Sequence, residues 1–375
     1  MSWSIWITDP PGGGRPIVAE AAAEILREGG MRVRLLQLDE FRMSLASDPD
    51  RSETEPVHRA LGYVAARITE AVVPVLVEAT EDCWRGRELA RSTIRRFAEV
   101  RLRCLRDVSR EPQHAQPVND ACALMRAEPP RPRTTLDDMA VPRDPAFAPA
   151  LVIDPLHSDV TIAACAVASL AKRLAAGAPE RLERRLGWAI WITGRPGSGK
   201  TTVARRVVKA LAADSMTVEV LDLAQARRAI VGREWATDEQ DALVHRTLAL
   251  IAKILTEAGV AVILDATAPR RAWRQVAREW IAHFAEVQLV CPSEICEERE
   301  RAARWRLAGT RSGDGGTTMT RPDVALDYEE SSHPDLRLHT DVPNLMTTVE
   351  EVVRLVRRLE AAPTASSADT ERIIP

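Results

Sequence analysis

Near-continuous apolar runs of five or six residues alternate along this chain with longer stretches whose apolar positions recur every three to four residues. Trp188–Thr193, Val218–Asp222, Val260–Asp265 and Glu286–Cys291 are runs of the first kind and predict strands. Thr201–Ala212, Thr237–Glu257 and Ala272–His283 are of the second kind and predict helices. Strands that are apolar throughout have to be covered on both faces. Their alternation with helices therefore predicts an α/β fold, a mainly parallel sheet flanked by helices.

The pattern occurs twice. SWSIWITDPPGGGRPIVA at Ser2 aligns with GWAIWITGRPGSGKTTVA at Gly187, an offset of 185. From Val57 to Cys104 the offset is 187, and 22 of 48 ungapped positions are identical to Val244–Cys291. An internal repeat of this length predicts a tandem duplication. With domains of roughly 100–200 residues, the division is residues 1–174, a linker over 175–186, a second domain over 187–361 and a tail over 362–375. The Pro- and Arg-rich stretch from Asp107 to Pro145, and the Gly/Ser/Thr stretch from Gly309 to Thr320, fall at matching places and are expected to be lids or insertions. Trp3 and Trp6, repeated as Trp188 and Trp191, fall in the first strand of each copy and are expected in the core.

Composition narrows the function. The chain is 28% charged with a net charge of −3, which gives no electrostatic case for a nucleic-acid or membrane partner. No apolar stretch approaches the ~20 residues that span a bilayer, and the N-terminus lacks a signal-peptide pattern, so a cytoplasmic location is expected. The six cysteines form no C-x-x-C pair and are expected to be free, mostly buried thiols. Lysine occurs only at 172, 200, 209 and 253, so each lysine is informative.

One of them completes a motif. Gly194-Arg195-Pro196-Gly197-Ser198-Gly199-Lys200-Thr201 is G-x-x-x-x-G-K-[ST] between a predicted strand and a predicted helix, the P-loop arrangement. Its glycines let backbone N–H groups converge on a phosphate, and the helix N-terminus adds partial positive charge. Gly194, Gly197, Ser198, Gly199, Lys200, Thr201 and Thr202 are therefore the expected ATP-binding residues. Lys200 is placed on the β- and γ-phosphates and the Thr201 hydroxyl on Mg²⁺. The first copy has Asp9 for the first glycine, Arg15 for the lysine and Pro16 for the threonine. An acid repels phosphate and proline offers neither N–H nor hydroxyl, so nucleotide binding is not expected there. The two copies predict two tandem P-loop NTPase-type domains, the first a pseudokinase.

Beyond the loop, the second copy resembles the adenylylsulfate (APS) kinases from about Gly187 to Leu359. APRRAWR at Ala268–Arg274 is similar to the family's S-P-Y-R-A-x-R. VCPSEICEERE from Val290 is similar to V-x-x-P-x-E-V-C-E-x-R, and DYEESSHPDLRLHTD from Asp327 to its late Y-E-x-P-x-x-P-x-L-x-L-D-T segment. The resemblance implies transfer of the ATP γ-phosphoryl to the 3′-hydroxyl of adenosine 5′-phosphosulfate. Asp222 and Arg227 match the family's D-G-D-N-x-R, while its second acid is Ala224 here. The arginine and asparagine expected to hold the APS nucleotide are Gln240 and Leu243, and the serine before proline is Ala268.

Asp222 and Asp265, at the ends of their strands, are candidates for catalysis, Asp265 also for the metal. Arg271 is a candidate catalytic cation, and Arg227 and Arg274 are candidates for the substrate. Arg299, Arg301, Arg304 and Arg306 precede the second insertion, as closing arginines would. His245 and Arg246 repeat His58 and Arg59, including in the degenerate copy, which favours helix packing over catalysis. The acceptor stays open: APS, another small molecule or a nucleic-acid 5′ end, with a non-catalytic nucleotide-binding scaffold as a further reading. The family commonly pairs, which implies a homodimer or an intramolecular pseudo-dimer.

Overall fold

In the computed structural model the chain divides into two compact units, Met1–Arg181 and Leu182–Pro375. The described residues are 2–9, 15–45, 54–71, 73–102, 149–153, 160–176, 186–232, 237–309, 328–341 and 344–361, with backbone only at 9 and 304–309. The stretches 107–145 and 310–320, most of the expected linker and the tail from 362 lie outside them.

The first unit runs β1 (Ser4–Asp9), α1 (Arg15–Glu28), β2 (Arg34–Gln37), α2 (Leu38–Leu45), α3 (Thr54–Glu70), β3 (Val75–Thr80), α4 (Trp84–Thr93), β4 (Phe97–Leu102), β5 (Leu151–Ile153) and α5 (Val160–Ala175). The second runs β6 (Ala189–Gly194), α6 (Lys200–Ala213), β7 (Val218–Asp222), α7 (Leu223–Ile230), α8 (Asp238–Glu257), β8 (Ala261–Asp265), α9 (Arg271–Trp280), β9 (Phe284–Val290), α10 (Ser293–Gly309), β10 (Leu336–His339) and α11 (Leu345–Ala361). Both sheets are five-stranded and parallel throughout, in the equivalent orders β2-β3-β1-β4-β5 and β7-β8-β6-β9-β10.

The pattern of burial explains the architecture. Central β6 and β8 are buried at every position, as unbroken apolar strands require. Edge strand β10 alternates between half-buried and exposed. One face of each sheet is closed by α1 with α5, or by α6 with α11; α3 with α4, or α8 with α9, pack on each other in the respective unit. All four repeated tryptophans are at most 3% exposed, so they are core residues as expected. One boundary differs from the sequence pattern. The helix expected to reach His283 stops at Trp280, because Ile281 turns extended and buries its side chain, and Phe284 already belongs to β9.

His245 lies in the core of the second unit, fully buried, stacked on Trp273 at 4.4 Å and donating from Nδ1 to the Asp241 carbonyl at 2.6 Å. Burial holds its pKa down at about 3, so the ring is neutral near pH 7. An unfolded histidine takes up a proton near pH 6.5, which the folded one resists. Stability is therefore full above that pH and declines as pH falls from about 6.5 toward 3, by up to ~1.4 kcal/mol per pH unit. Hydrogen exchange of the β8 amides, followed by mass spectrometry between pH 7 and 5, is expected to show this loss, and His245→Phe to flatten it.

Candidate active site

The loop between β6 and α6 is shaped by its glycines. Gly199 is the N-cap of α6 and sits at φ 95°, in the left-handed region. Gly197, at φ 78°, passes so close to the start of α10 that a Cβ would come within 2.3 Å of the Cys296 carbonyl oxygen. Thr340, just past β10, donates its hydroxyl to the Ser198 carbonyl at 2.9 Å and fixes the loop from the other side. Lys200 donates from Nζ to the carbonyls of Gly194 at 3.1 Å and Arg195 at 3.0 Å, so its ammonium arches back over the loop. The Ser198 hydroxyl is buried without a hydrogen-bond partner. A buried polar atom left in this way fits a loop built around a ligand. Thr201 and Thr202 are exposed on the first turn of α6.

Two carboxylates end adjacent strands beside this loop. Asp222 and Asp265 are register partners at the carboxyl ends of β7 and β8. Asp222 is also the N-cap of α7 and accepts from the Gln225 N–H at 2.7 Å. Asp265 is 6% exposed. Burial raises its pKa above the ordinary aspartate value; a hydrogen bond from the Thr201 side chain and the Lys200 ammonium oppose the rise, and Asp222 adds to it. Thr201, Asp222 and Asp265 also border an open groove of about 630 Å³ between α6 and α7. Among the described residues no cluster of three or more His, Cys, Asp or Glu could hold a metal ion. A few hard oxygen donors completed by substrate phosphates is the usual magnesium arrangement, and this site fits it.

The structure therefore brings Lys200, Thr201, Asp222 and Asp265 together, and gives Arg274, Arg227, Arg271 and Arg299 partners within the protein. Arg274, expected at the substrate, is 1% exposed. It pairs with Glu286 at 2.8 Å, donates to the carbonyls of Ala268 and Glu329, and lies over the Tyr328 ring. A guanidinium enclosed in this way holds β9 to the segment after β8, a structural task. The repeat carried a signal for it, because Arg87 and Glu99 occupy the equivalent positions of the first unit and also pair there, at 3.4 Å. Arg227, the other expected substrate residue, binds the Asp241 carboxylate through two donors, at 2.9 and 3.2 Å. Arg271 begins α9, mostly exposed, and faces Glu329 at 3.7 Å. Arg299 donates to the Thr340 carbonyl at 2.8 Å. Arg301 is exposed, and the side chains of Arg304 and Arg306 lie outside the described residues. Cys83, Cys291 and Cys296 are buried free thiols and Cys165 a half-buried one, as composition implied; Cys104 and Cys122 lie outside the described residues.

A sequence profile of the adenylylsulphate kinases matches residues 1–115 and 186–339. The chain belongs to the adenylylsulfate kinase family. Among curated relatives, the adenylyl-sulfate kinase of Halothermothrix orenii is 31% identical over 46% of this chain and 90% of its own. A probable adenylyl-sulfate kinase of Archaeoglobus fulgidus is 32% identical over 42% and 97%. The solved Mycobacterium tuberculosis APS kinase in complex with AMPPNP and APS is 27% identical, covers 46% of this chain and 99% of its own, and has a TM-score of 0.38.

Against the adenylylsulfate kinase pattern, the altered positions have specific fates. Gln240 closes a capping box with Thr237, each side chain bonding the other's backbone N–H at 3.1 and 3.2 Å. Leu243 is 6% exposed. In the first unit Arg15, which stands where the second has Lys200, pairs with Glu78, which stands where the second has Asp265; their side chains are 10% and 2% exposed. Removing one member of a buried pair costs about 3–5 kcal/mol, whereas replacing both by apolar groups is near neutral. Arg15→Met is therefore expected to destabilise the first unit by about that amount and Arg15→Met/Glu78→Leu to recover most of it, read from hydrogen exchange of the β3 amides.

Proposed function

We propose that the second unit is an ATP- and Mg²⁺-dependent kinase transferring the γ-phosphoryl group to a hydroxyl, with APS the acceptor indicated by its family. The first unit, on this reading, carries no transfer of its own. The observation that supports it best is the meeting of a complete phosphate loop, Gly194–Thr201, with the buried Asp265 carboxylate bonded to Thr201. The loop amides and the N-terminus of α6 would bind the phosphates. Lys200 would turn its ammonium from the loop carbonyls to the β- and γ-oxygens, where charge changes during transfer. Thr201 and Asp265 would hold Mg²⁺, which when bound offsets phosphate charge. Asp222, at the same floor, would orient the incoming hydroxyl. Little covalent chemistry is asked of the protein, and positioning with charge neutralisation supplies the rate.

A second reading, transfer to a different small hydroxyl compound, is favoured by the engagement of Arg227 with Asp241. A coupled assay of ADP formation with APS, sugars, nucleosides and oligonucleotides separates the two. Turnover with APS alone decides for the first, and ATP binding without turnover on any acceptor decides against both.

Lys200→Ala is expected to lower kcat/KM on the order of 10³-fold, measured in the same assay. A second expectation concerns pH. Asp265 acts as a carboxylate, present above its pKa and lost as pH falls through it. Because burial raises that pKa, the acid limb of kcat/KM should lie above the ordinary aspartate range of about 3.9. Asp265→Asn should remove most activity at every pH.

A further inference from the structure

The groove between α6 and α7 is more than an extension of the phosphate site. Its two walls each carry a guanidinium, Arg205 from α6 and Arg228 from α7, with the Gln225 amide on the same side as Arg228. Arg205 follows Thr201 by four residues, one helical turn farther from the loop. Arg228 follows Gln225 by three, so both share one face of α7. The floor is the Asp222–Asp265 carboxylate pair. At about 630 Å³ the groove has the volume of a small-molecule site. Cations on the walls over carboxylates on the floor suit a ligand with an anionic group at one end and a hydroxyl at the other.

The face of α7 that the family pattern uses is otherwise engaged. Arg227 is one residue from Arg228, which on a helix turns it about 100° away. That turn carries it to α8, where Asp241 takes both of its donors at 2.9 and 3.2 Å. Gln240 belongs to the cap of α8, and Leu243 is buried. Arg227, Gln240 and Leu243 thus have roles within the fold, while Arg205 and Arg228 border the groove.

We propose that this groove is the acceptor subsite, and that it takes a small hydroxyl compound bearing a phosphate, sulfate or carboxylate group, held by Arg205 and Arg228. The proposal rests on the kinase reading above and deepens it. Guanidinium is the suited donor for such oxyanions, because its planar fork matches them. With the anion between the walls, the hydroxyl is set at the floor. Its oxygen bonds the γ-phosphorus of ATP while the bond from that phosphorus to the β,γ-bridging oxygen breaks. The electron pair leaves with ADP, and the hydroxyl proton passes to the Asp222 carboxylate.

The test uses the full chain with Mg²⁺ and ATP, assaying ADP formation with APS, ribose 5-phosphate, glucose 6-phosphate and glycerate, and with neutral ribose, glucose and glycerol. Anionic acceptors are expected to be used and their neutral counterparts to fail. Arg205→Ala and Arg228→Ala are each expected to raise the KM of the best acceptor about tenfold or more, with the calorimetric Kd for ATP and kcat at saturation within about twofold of wild type. Lysine at either position should recover part of the loss. Arg206→Ala, the next residue along α6, should leave that KM unchanged. ADP formation with KM unmoved in both variants, or a neutral acceptor used as well as its anionic counterpart, overturns the groove assignment and leaves the kinase reading standing. ATP binding without ADP formation on any acceptor removes the kinase reading and this proposal with it.

Discussion

A cation at the start of a helix and a carboxylate on a neighbouring buried strand need a partner for their charge, because taking either out of water alone is costly. Both units present that pair beside the central strand, on β3 and α1 in one and on β8 and α6 in the other. In the first unit the partners satisfy each other: Arg15 reaches Glu78, and the longer side chains of both close the gap. In the second the shorter Lys200 donates to the loop carbonyls, and Asp265 accepts from Thr201. Lys-to-Arg and Asp-to-Glu are mild changes on most scales. Here each adds reach, and together they close an ion pair where the second unit keeps its lysine and aspartate apart. Proline at position 16 removes the hydroxyl that Thr201 offers to Asp265 in the second unit.

The frame around this pair is the same in both units, and the repeat separates frame from site. Arg274–Glu286 has its equivalent in Arg87–Glu99, and buried His245 in buried His58. Those residues accompany the phosphate loop and its altered counterpart alike, which assigns them to the fold. Gly194, Lys200 and Thr201 instead give way to Asp9, Arg15 and Pro16 in the first unit, which sets them apart from that frame. For both histidines burial lowers the pKa, so the neutral ring is a property of the packed helix layer.

Much of this was legible in the residues. Unbroken apolar strands required a sheet covered on both sides, and the repeat placed β1, β3 and β4 against β6, β8 and β9; the short, half-exposed edge strands β5 and β10 carry no such apolar run and went unread. The phosphate loop was legible because its chemistry is carried by backbone and depends on glycine, a single lysine and a hydroxyl in sequence order. The roles of arginines were not, because a guanidinium is equally suited to a substrate oxyanion and to a buried carboxylate, and only the fold brings Glu286 to Arg274 and Asp241 to Arg227. Two signals were present and unread. Thr237-x-x-Gln240 is a capping-box pattern, which assigns Gln240 to a helix end. The apolar spacing Val349, Val352, Val356 marks α11 as a core-facing helix.

This contrast bears on where such a protein can change. A phosphate loop tolerates little, since Gly197 has no room for a Cβ against Cys296 and Gly199 holds a left-handed backbone. An acceptor pocket lined by side chains can be redirected one residue at a time. One carboxylate at 241 is enough to draw Arg227 inward, one amide at 240 to serve the helix cap, and one leucine at 243 to join the core. Each of these side chains is engaged within the fold, away from the glycines of the loop. On the proposal made above, the α6–α7 groove meets the acceptor with Arg205 and Arg228 beside the same two carboxylates. On that reading, donor chemistry held by backbone and glycine stays fixed while side chains set the direction from which an acceptor is met.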